Sequence, residues 1–193
     1  MLESLIEEVV AMAEIEVKYP LEDRDIPRLQ ERLRAIGARC EGVVFERNVT
    51  FDDERGTLAA QDQLLRLRQT STVRLTFKGK REPGAKFKIR EELEVEVSDY
   101  ATMAAILARL GFAPKRRYEK ERETWHWRDA EVFIDHLPFG WFTEIEGPPA
   151  TIEALEQAVG LDPARRSTKD YYQLYDDFCR ARGLPAGDIV FGP

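Results

Sequence analysis

Residues 86–97 read KFKIREELEVEV, and their order is close to a pure alternation. Phe87, Ile89, Leu93, Val95 and Val97 fall on one side of an extended chain, and Lys88, Arg90, Glu92, Glu94 and Glu96 on the other. Only Glu91 breaks the apolar side. A period of two marks a strand, and this strand has one face to bury and one face made wholly of charge.

The same design recurs in both directions along the chain. Over residues 13–20, Glu14, Glu16 and Lys18 alternate with Ile15, Val17 and Tyr19. Residues 43–51, 64–69 and 73–79 form three more alternating segments, separated by turn-forming residues. In the second, Leu65 and Leu67 alternate with Arg66 and Arg68; in the third, Val73, Leu75 and Phe77 alternate with Arg74, Thr76 and Lys78. Residues 118–127 set Lys120, Arg122 and Thr124 against Glu121, Glu123 and Trp125, a less clean segregation. A short strand at 132–135, a Pro138-Phe-Gly140 turn and a strand at 141–146 follow, and Gly147-Pro-Pro cannot continue the ladder. Helices fall between groups of strands. Ile26, Leu29, Leu33 and Ile36 recur at helical spacing, with Asp25 as a cap, Pro27 in the first turn and Gly37 as a stop. Ser98 and Asp99 cap a second helix carrying Met103, Ile106, Leu107 and Leu110, and two more are expected at 151–159 and 168–182. About eight strands joined by hairpin-length connections predict an α+β fold with mainly antiparallel pairing.

The chain of 193 residues is 43% hydrophobic and 34% charged, which fits one domain over 1–193, with 1–12 as a candidate N-terminal extension and 167–182 as a C-terminal helix. A net charge of −7 argues against a broadly basic surface for nucleic acid. The sequence holds no apolar run of membrane-spanning length, and Glu3, Glu7 and Glu8 stand where a signal peptide carries basic residues. A cytoplasmic protein without membrane partners is therefore expected. Cys40 and Cys179 have no CxxC neighbour and read as packing thiols. Residues 79–86 approach a phosphate-binding loop, but Ala85 replaces its lysine and a strand follows instead of a helix. No GxSxG or HExxH occurs, so His126 and His136 read as incidental, and Trp125, Trp127 and Trp141 as packing residues.

A charged strand face ordinarily points to water. Here, however, the faces are almost entirely Lys, Arg, Glu and Asp, where solvent faces mix in Ser, Thr and Gln. If the sheet curls with its helices outside, Lys18, Arg66, Arg68, Arg74, Lys78, Lys88, Arg90, Lys120 and Arg122 share an interior with many carboxylates. Buried charge is costly unless matched, and a polyanion with a divalent cation would complete the match. Guanidinium and ammonium groups suit phosphate oxygens, and clustered carboxylates suit Mg²⁺ or Mn²⁺. The ExE pairs Glu14/Glu16 and Glu144/Glu146 each place two carboxylates on one strand face.

EIEVK at 14–18 resembles the ExExK signature of the CYTH superfamily, the triphosphate tunnel metalloenzymes. LLRLR with Arg66 and Arg68, LTFKG with Lys78, REELE with Arg90, Glu92 and Glu94, KERETW with Lys120 and Arg122, Asp135, and FGWFTEIEG with Glu144 and Glu146 follow in the family's order. The resemblance implies a closed eight-stranded antiparallel β-barrel, a tunnel with helices packed outside. It implies that Glu14, Glu16, Asp135, Glu144 and Glu146 hold one or two divalent metals, and that Lys18, Arg66, Arg68, Lys78, Arg90, Lys120 and Arg122 bind the triphosphate. Glu92 and Glu94 would order those cations or support a second metal. Met12-Ala-Glu resembles the family's usual start.

PFGWFTEIEG and a Ser167-x-x-x-Tyr171-Tyr172 helix look like proteins called class IV adenylyl cyclase-like. Ser167, Lys169 and Tyr171 would then lie where a terminal helix plugs one tunnel mouth; in the plainer alternative Tyr172 and Leu174 merely pack and Lys169 is solvated. The expected activity is metal-dependent hydrolysis of a triphosphate (tripolyphosphate, ATP or thiamine triphosphate), because no adenine pocket is legible. Cyclisation of ATP to cyclic AMP and pyrophosphate is the alternative, and a non-catalytic polyphosphate- or nucleotide-binding module is the second. A homodimer is compatible with the sequence, which leaves the catalytic residue and oligomeric state open.

Overall fold

The computed structural model describes residues 13–192, and the candidate extension at 1–12 lies outside them. The alternating segments are strands: β1 (Ala13–Leu21), β2 (Arg39–Asp52), β3 (Leu64–Gln69), β4 (Val73–Lys78), β5 (Lys88–Val97), β6 (Ala113–Trp127), β7 (Ala130–Leu137) and β8 (Gly140–Glu146). Helices α1 (Asp25–Ala35), α2 (Thr57–Ala60), α3 (Tyr100–Arg109), α4 (Pro149–Val159) and α5 (Tyr171–Arg182) are inserted between and after them. The sheet closes in a ring in the order β1-β5-β4-β3-β2-β6-β7-β8, with helices outside, as the α+β expectation requires. No described helix is long and apolar enough to cross a membrane.

Contacts divide the chain into two compact units. In the unit spanning Glu46–Tyr118, which also takes in Glu14, β3, β4 and β5 form an antiparallel meander joined by the second half of β2. Directly paired residues share a face, so the registers Thr50↔Arg66, Asn48↔Arg68, Arg66↔Thr76, Thr76↔Glu94 and Lys78↔Glu92 gather the polar side chains on one side. Leu67↔Leu75 and Phe77↔Leu93 lie on the other. There Phe51, Leu67 and Leu107 of α3 form a buried cluster, with Val49, Leu65, Val73, Leu75, Val97, Met103 and Phe112 packed against it. Asp99 starts α3 as expected, its carboxylate accepting from the Thr102 N–H at 2.7 Å. Leu93 and Val95, further along β5, stay exposed.

The other unit, Ile15–Phe45 with the chain from Glu119 onward, builds a second meander from β6, β7 and β8, flanked by β1. The registers Arg122↔Asp135, Phe133↔Glu144, Lys18↔Glu144 and Glu16↔Glu146 place those residues on one face. Val17, Tyr19, Trp125, Val132, Ile134 and Ile145 are buried, as are Leu29 and Leu33 of α1 and Ile152, Leu155 and Val159 of α4. Trp125 and Trp127 pack as expected: the Arg34 guanidinium lies over the Trp125 ring, and Trp127 donates to the Ile36 carbonyl at 3.1 Å. Tyr19 donates to Glu156 of α4, which Arg166 also grips, its Nε at 2.7 Å.

Several boundaries move. β2 begins four residues before the expected 43, running through Gly42, whose φ of +111° admits a kink that a side chain would resist. β6 begins at Ala113, because Pro114 and the basic run that follows hide the alternation. A short helix, α2, follows the turn formed around 52–56: Asp52 accepts from the Leu58 and Ala59 N–H groups at 3.0 and 2.9 Å, and Asp53 from Thr57 at 2.9 Å. Asp25 is the first residue of α1, not its cap, and its carboxylate takes the Glu22 N–H at 3.0 Å. α5 starts at Tyr171 behind an Asp170–Gln173 capping box.

Core packing sets a direct test. Leu67→Ala, at a fully buried position, should cost about 2–5 kcal/mol in urea unfolding. Leu93→Ala, on the same strand face system but exposed, should cost under about 1 kcal/mol.

Candidate functional site

Each unit carries buried charge on its polar strand face. In the unit containing β6–β8, Lys18 lies between two carboxylates, with its ammonium 2.7 Å from Glu16 and paired with Glu144. Asp135, buried completely on β7, is enclosed by donors: Arg122 Nε reaches Oδ1 at 2.7 Å, while Arg122 Nη2 and Lys120 Nζ reach Oδ2 at 2.6 and 3.0 Å. Arg122 also pairs with Glu144, so Lys18, Glu144, Arg122, Asp135 and Lys120 form one chain of alternating charge. Burial alone lowers the pKa of the Lys18 ammonium. Glu144 and Glu16 more than offset that, and its pKa is raised.

Tyr171, the first residue of α5, enters this network from outside the sheet. Its hydroxyl donates to Asp135 Oδ2 at 2.5 Å, and its ring lies 5.0 Å from the Lys18 ammonium and 5.2 Å from that of Lys120. The backbone leading to it is fixed on β1, where Lys18 N–H donates to Ser167 at 3.0 Å and Ser167 N–H returns the bond at 2.8 Å. Burial first, then the Asp135 and Glu144 charges, push the Tyr171 hydroxyl well above its usual pKa, so it remains a donor.

In the other unit, Lys78 Nζ is 2.6 Å from Glu14 and 2.7 Å from Glu92. Burial pushes the Glu92 carboxyl up, but the Lys78 and Arg66 charges outweigh it and hold the pKa below the ordinary range. Glu94 gathers Arg68 at 3.0 Å, Arg74 at 3.0 Å and the Thr76 hydroxyl at 2.7 Å. Arg68 also approaches Glu46 at 3.7 Å. Arg66 donates to the Tyr118 hydroxyl at 2.9 Å, while its buried Nε has no hydrogen-bond acceptor among the described residues. Arg90 is placed differently: its guanidinium reaches the main-chain carbonyls of Gly79 at 2.9 Å and Lys78 at 3.1 Å, bracing the end of β4.

The residues expected from sequence therefore fall into three clusters, with Arg90 apart from them. Glu16, Lys18, Lys120, Arg122, Asp135 and Glu144 share one network, with Glu146 opposite Glu16 on β8. Glu14, Lys78 and Glu92 are joined, as are Arg66, Arg68 and Glu94. Glu46, Tyr118 and Thr76 were not singled out in the sequence. Glu46 and Thr76 carry the period-two signal of their strands, whereas nothing local marks Tyr118 as a partner of Arg66.

Among the described residues, no three His, Cys, Asp or Glu side chains are gathered into a ready coordination sphere. The donors nevertheless suit a hard divalent cation. Glu16 and Glu146 are directly paired across β1 and β8, Glu144 lies two residues away on the same face, and all supply oxygen. Lys18 stands between Glu16 and Glu144, so its ammonium takes up the carboxylate oxygens that a metal ion there would need.

The description "CYTH domain" belongs to the family model that matches residues 12–171. A candidate adenylate cyclase of Methanocaldococcus jannaschii is 28% identical over 179 residues, covering 90% of this chain and 100% of its own length. Among solved structures, a candidate adenylate cyclase from Vibrio parahaemolyticus superposes with a TM-score of 0.72 at 20% identity, over 84% of this chain and 97% of the other. A Hippeastrum candidate adenylyl cyclase, described as having a dominant triphosphatase activity, gives 0.62 at 17% identity over 90% and 96% of the two chains. These structural likenesses concern the fold. The sequence match itself spans the strands that carry both charge networks, and on that ground the chain belongs to the CYTH domain family.

Proposed function

We propose that this protein is a divalent-metal-dependent phosphohydrolase of a triphosphate, inorganic tripolyphosphate or an organic triphosphate. The observation that carries the reading is the set of buried cations on the strand faces, in which carboxylates occupy positions that phosphate oxygens can take. CYTH proteins include adenylyl cyclases and triphosphatases, which bind triphosphates and use divalent metals, so the reading refines an established class.

The chemistry follows from charge exchange. Without ligand, Lys18, Lys120 and Arg122 are neutralised by Glu16, Asp135 and Glu144. A triphosphate alone would replace carboxylate partners and leave those carboxylates buried and unmatched. Divalent cation and polyanion arriving together restore the balance. Lys18, Lys120, Arg122, Arg66, Arg68 and Lys78 are the proposed phosphate ligands, with Arg90 as a brace of the Lys78 strand end. Arg66 Nε, buried and without an acceptor, offers a further donor to an anion. Glu16, Glu144 and Glu146 would hold the metal, Mg²⁺ or Mn²⁺, with Glu14 and Asp135 completing the carboxylate set and Glu92 and Glu94 ordering the cations. A metal bound there would stabilise the charge that develops on the transferring phosphoryl group.

The second reading is cyclisation of ATP, favoured by the naming of the Methanocaldococcus relative. Hydrolysis brings water to the terminal phosphorus, whereas cyclisation brings a ribose hydroxyl to the α-phosphorus and expels pyrophosphate. The Hippeastrum neighbour's dominant triphosphatase activity supports the first. We place the protein as one CYTH domain acting on a small molecule, not on nucleic acid or a membrane.

Purified protein given tripolyphosphate or ATP with Mg²⁺ or Mn²⁺ should release orthophosphate. Cyclic AMP with pyrophosphate, resolved in the same chromatogram, would establish the cyclase instead, and binding without product a non-catalytic module. Glu16→Gln should lower metal-dependent turnover roughly 100-fold or more while the far-UV spectrum is kept. Tripolyphosphate with metal at 100 times Kd should add about 2.7 kcal/mol to stability, read as a rise in Tm.

A further inference from the structure

We propose that Tyr171 is a positioning residue for phosphate binding, one that fixes Asp135 and, through it, the Lys120 and Arg122 groups that would meet an incoming anion. The proposal rests on the triphosphate reading and adds to it a residue outside the strand motifs.

Asp135 is fully buried, so every lone pair it directs into the protein needs a donor. Oδ1 takes Arg122 Nε, and Oδ2 takes Arg122 Nη2, Lys120 Nζ and the Tyr171 hydroxyl. Of these, only the tyrosine is neutral. It satisfies part of the carboxylate without adding a charge, while both cations close on the same group. Were the hydroxyl absent, Oδ2 would lose its neutral donor, and the carboxylate that orients Lys120 and Arg122 would be held less firmly. The ring contributes separately. It lies near both the Lys18 and Lys120 ammoniums, at 5.0 and 5.2 Å, so its face offsets repulsion between two cations aimed at the same substrate.

The placement of Tyr171 is built from several sides. Its ring meets Phe142 edge-on at 5.5 Å, on the strand that also carries Glu144. The approach to it is pinned by the Ser167–Lys18 bridge and by Arg166 on Glu156. The rest of α5 docks independently, through Tyr175 and Phe178 against Phe139, at 5.2 and 5.6 Å. Docking of the helix and positioning of Asp135 can therefore be separated by mutation.

The test compares the full-length wild type, Tyr171→Phe and Phe178→Leu. Tripolyphosphate binding is read from the rise in Tm with Mg²⁺ present, and kcat and KM are measured with Mn²⁺. Tyr171→Phe should weaken binding about tenfold and raise KM by a similar factor, with kcat changed less than about threefold, the pattern of lost uniform binding. Phe178→Leu should lower Tm and leave Kd within about twofold, as expected for a ring that makes no contact with Asp135, Lys120 or Arg122. Wild-type binding with Tyr171→Phe unchanged overturns the proposal and spares the triphosphate reading. Equal weakening by both variants also overturns it, because docking alone would then explain the effect. Failure of the wild type to bind tripolyphosphate, with or without metal, removes both.

Discussion

Burying an ammonium or a guanidinium is tolerable only if an opposite charge comes with it, and the architecture of this protein follows from that constraint. Lys18, Lys120, Asp135 and Glu144 are nearly inaccessible to water, yet none is left unmatched, because Lys18 pairs with Glu144 and Lys120 with Asp135. On the apolar side, Phe51 and Leu67 pack with Leu107 of α3, while Leu93 and Val95 stay exposed. What would otherwise be a solvated surface becomes an interior that is electrically balanced and specific in geometry.

Register is the means by which the balance is kept. The pairs Lys18↔Glu144 and Arg122↔Asp135 are both cross-strand neighbours and ion pairs, and Lys78↔Glu92 repeats the arrangement in the other unit. A slip of one residue in any of these pairings would send charge into the apolar side and leave its partner stranded. The networks therefore specify the pairing as much as the pairing specifies the networks. They also account for a site that is not preassembled. Carboxylates held by lysine and arginine make a poor metal site, and on the proposed reading an anion that drew those cations away would couple metal binding to phosphate binding.

The position of α5 adds a second layer. Its first residue shares Asp135 with two cations, and the bridge from Ser167 to the Lys18 backbone ties the terminal segment to the signature strand. An element far along the chain thus completes the surroundings of residues near its start.

Much of this was legible in the sequence, because period-two patterning records a local property: each residue's side of a strand is set by its own backbone. The eight strands, the charged identity of one face, the Asp99 cap and the paired ExE motifs all belong to that class. Where the local signal is weak the pattern does not mark the element: a positive φ at Gly42 interrupts the start of β2, and Asp52 and Asp53 hold a helix at Thr57 too short for a helical period to show. Which cation meets which carboxylate was beyond the sequence, since partners such as Arg66 and Tyr118 lie 52 positions apart and meet only through tertiary packing. The same holds for Arg90, whose strand position is that of a ligand but whose guanidinium braces main-chain carbonyls. Composition and alternation decided that charge would be buried together; only the folded chain decided how that charge is shared, because sharing depends on distances between residues that the sequence does not make neighbours.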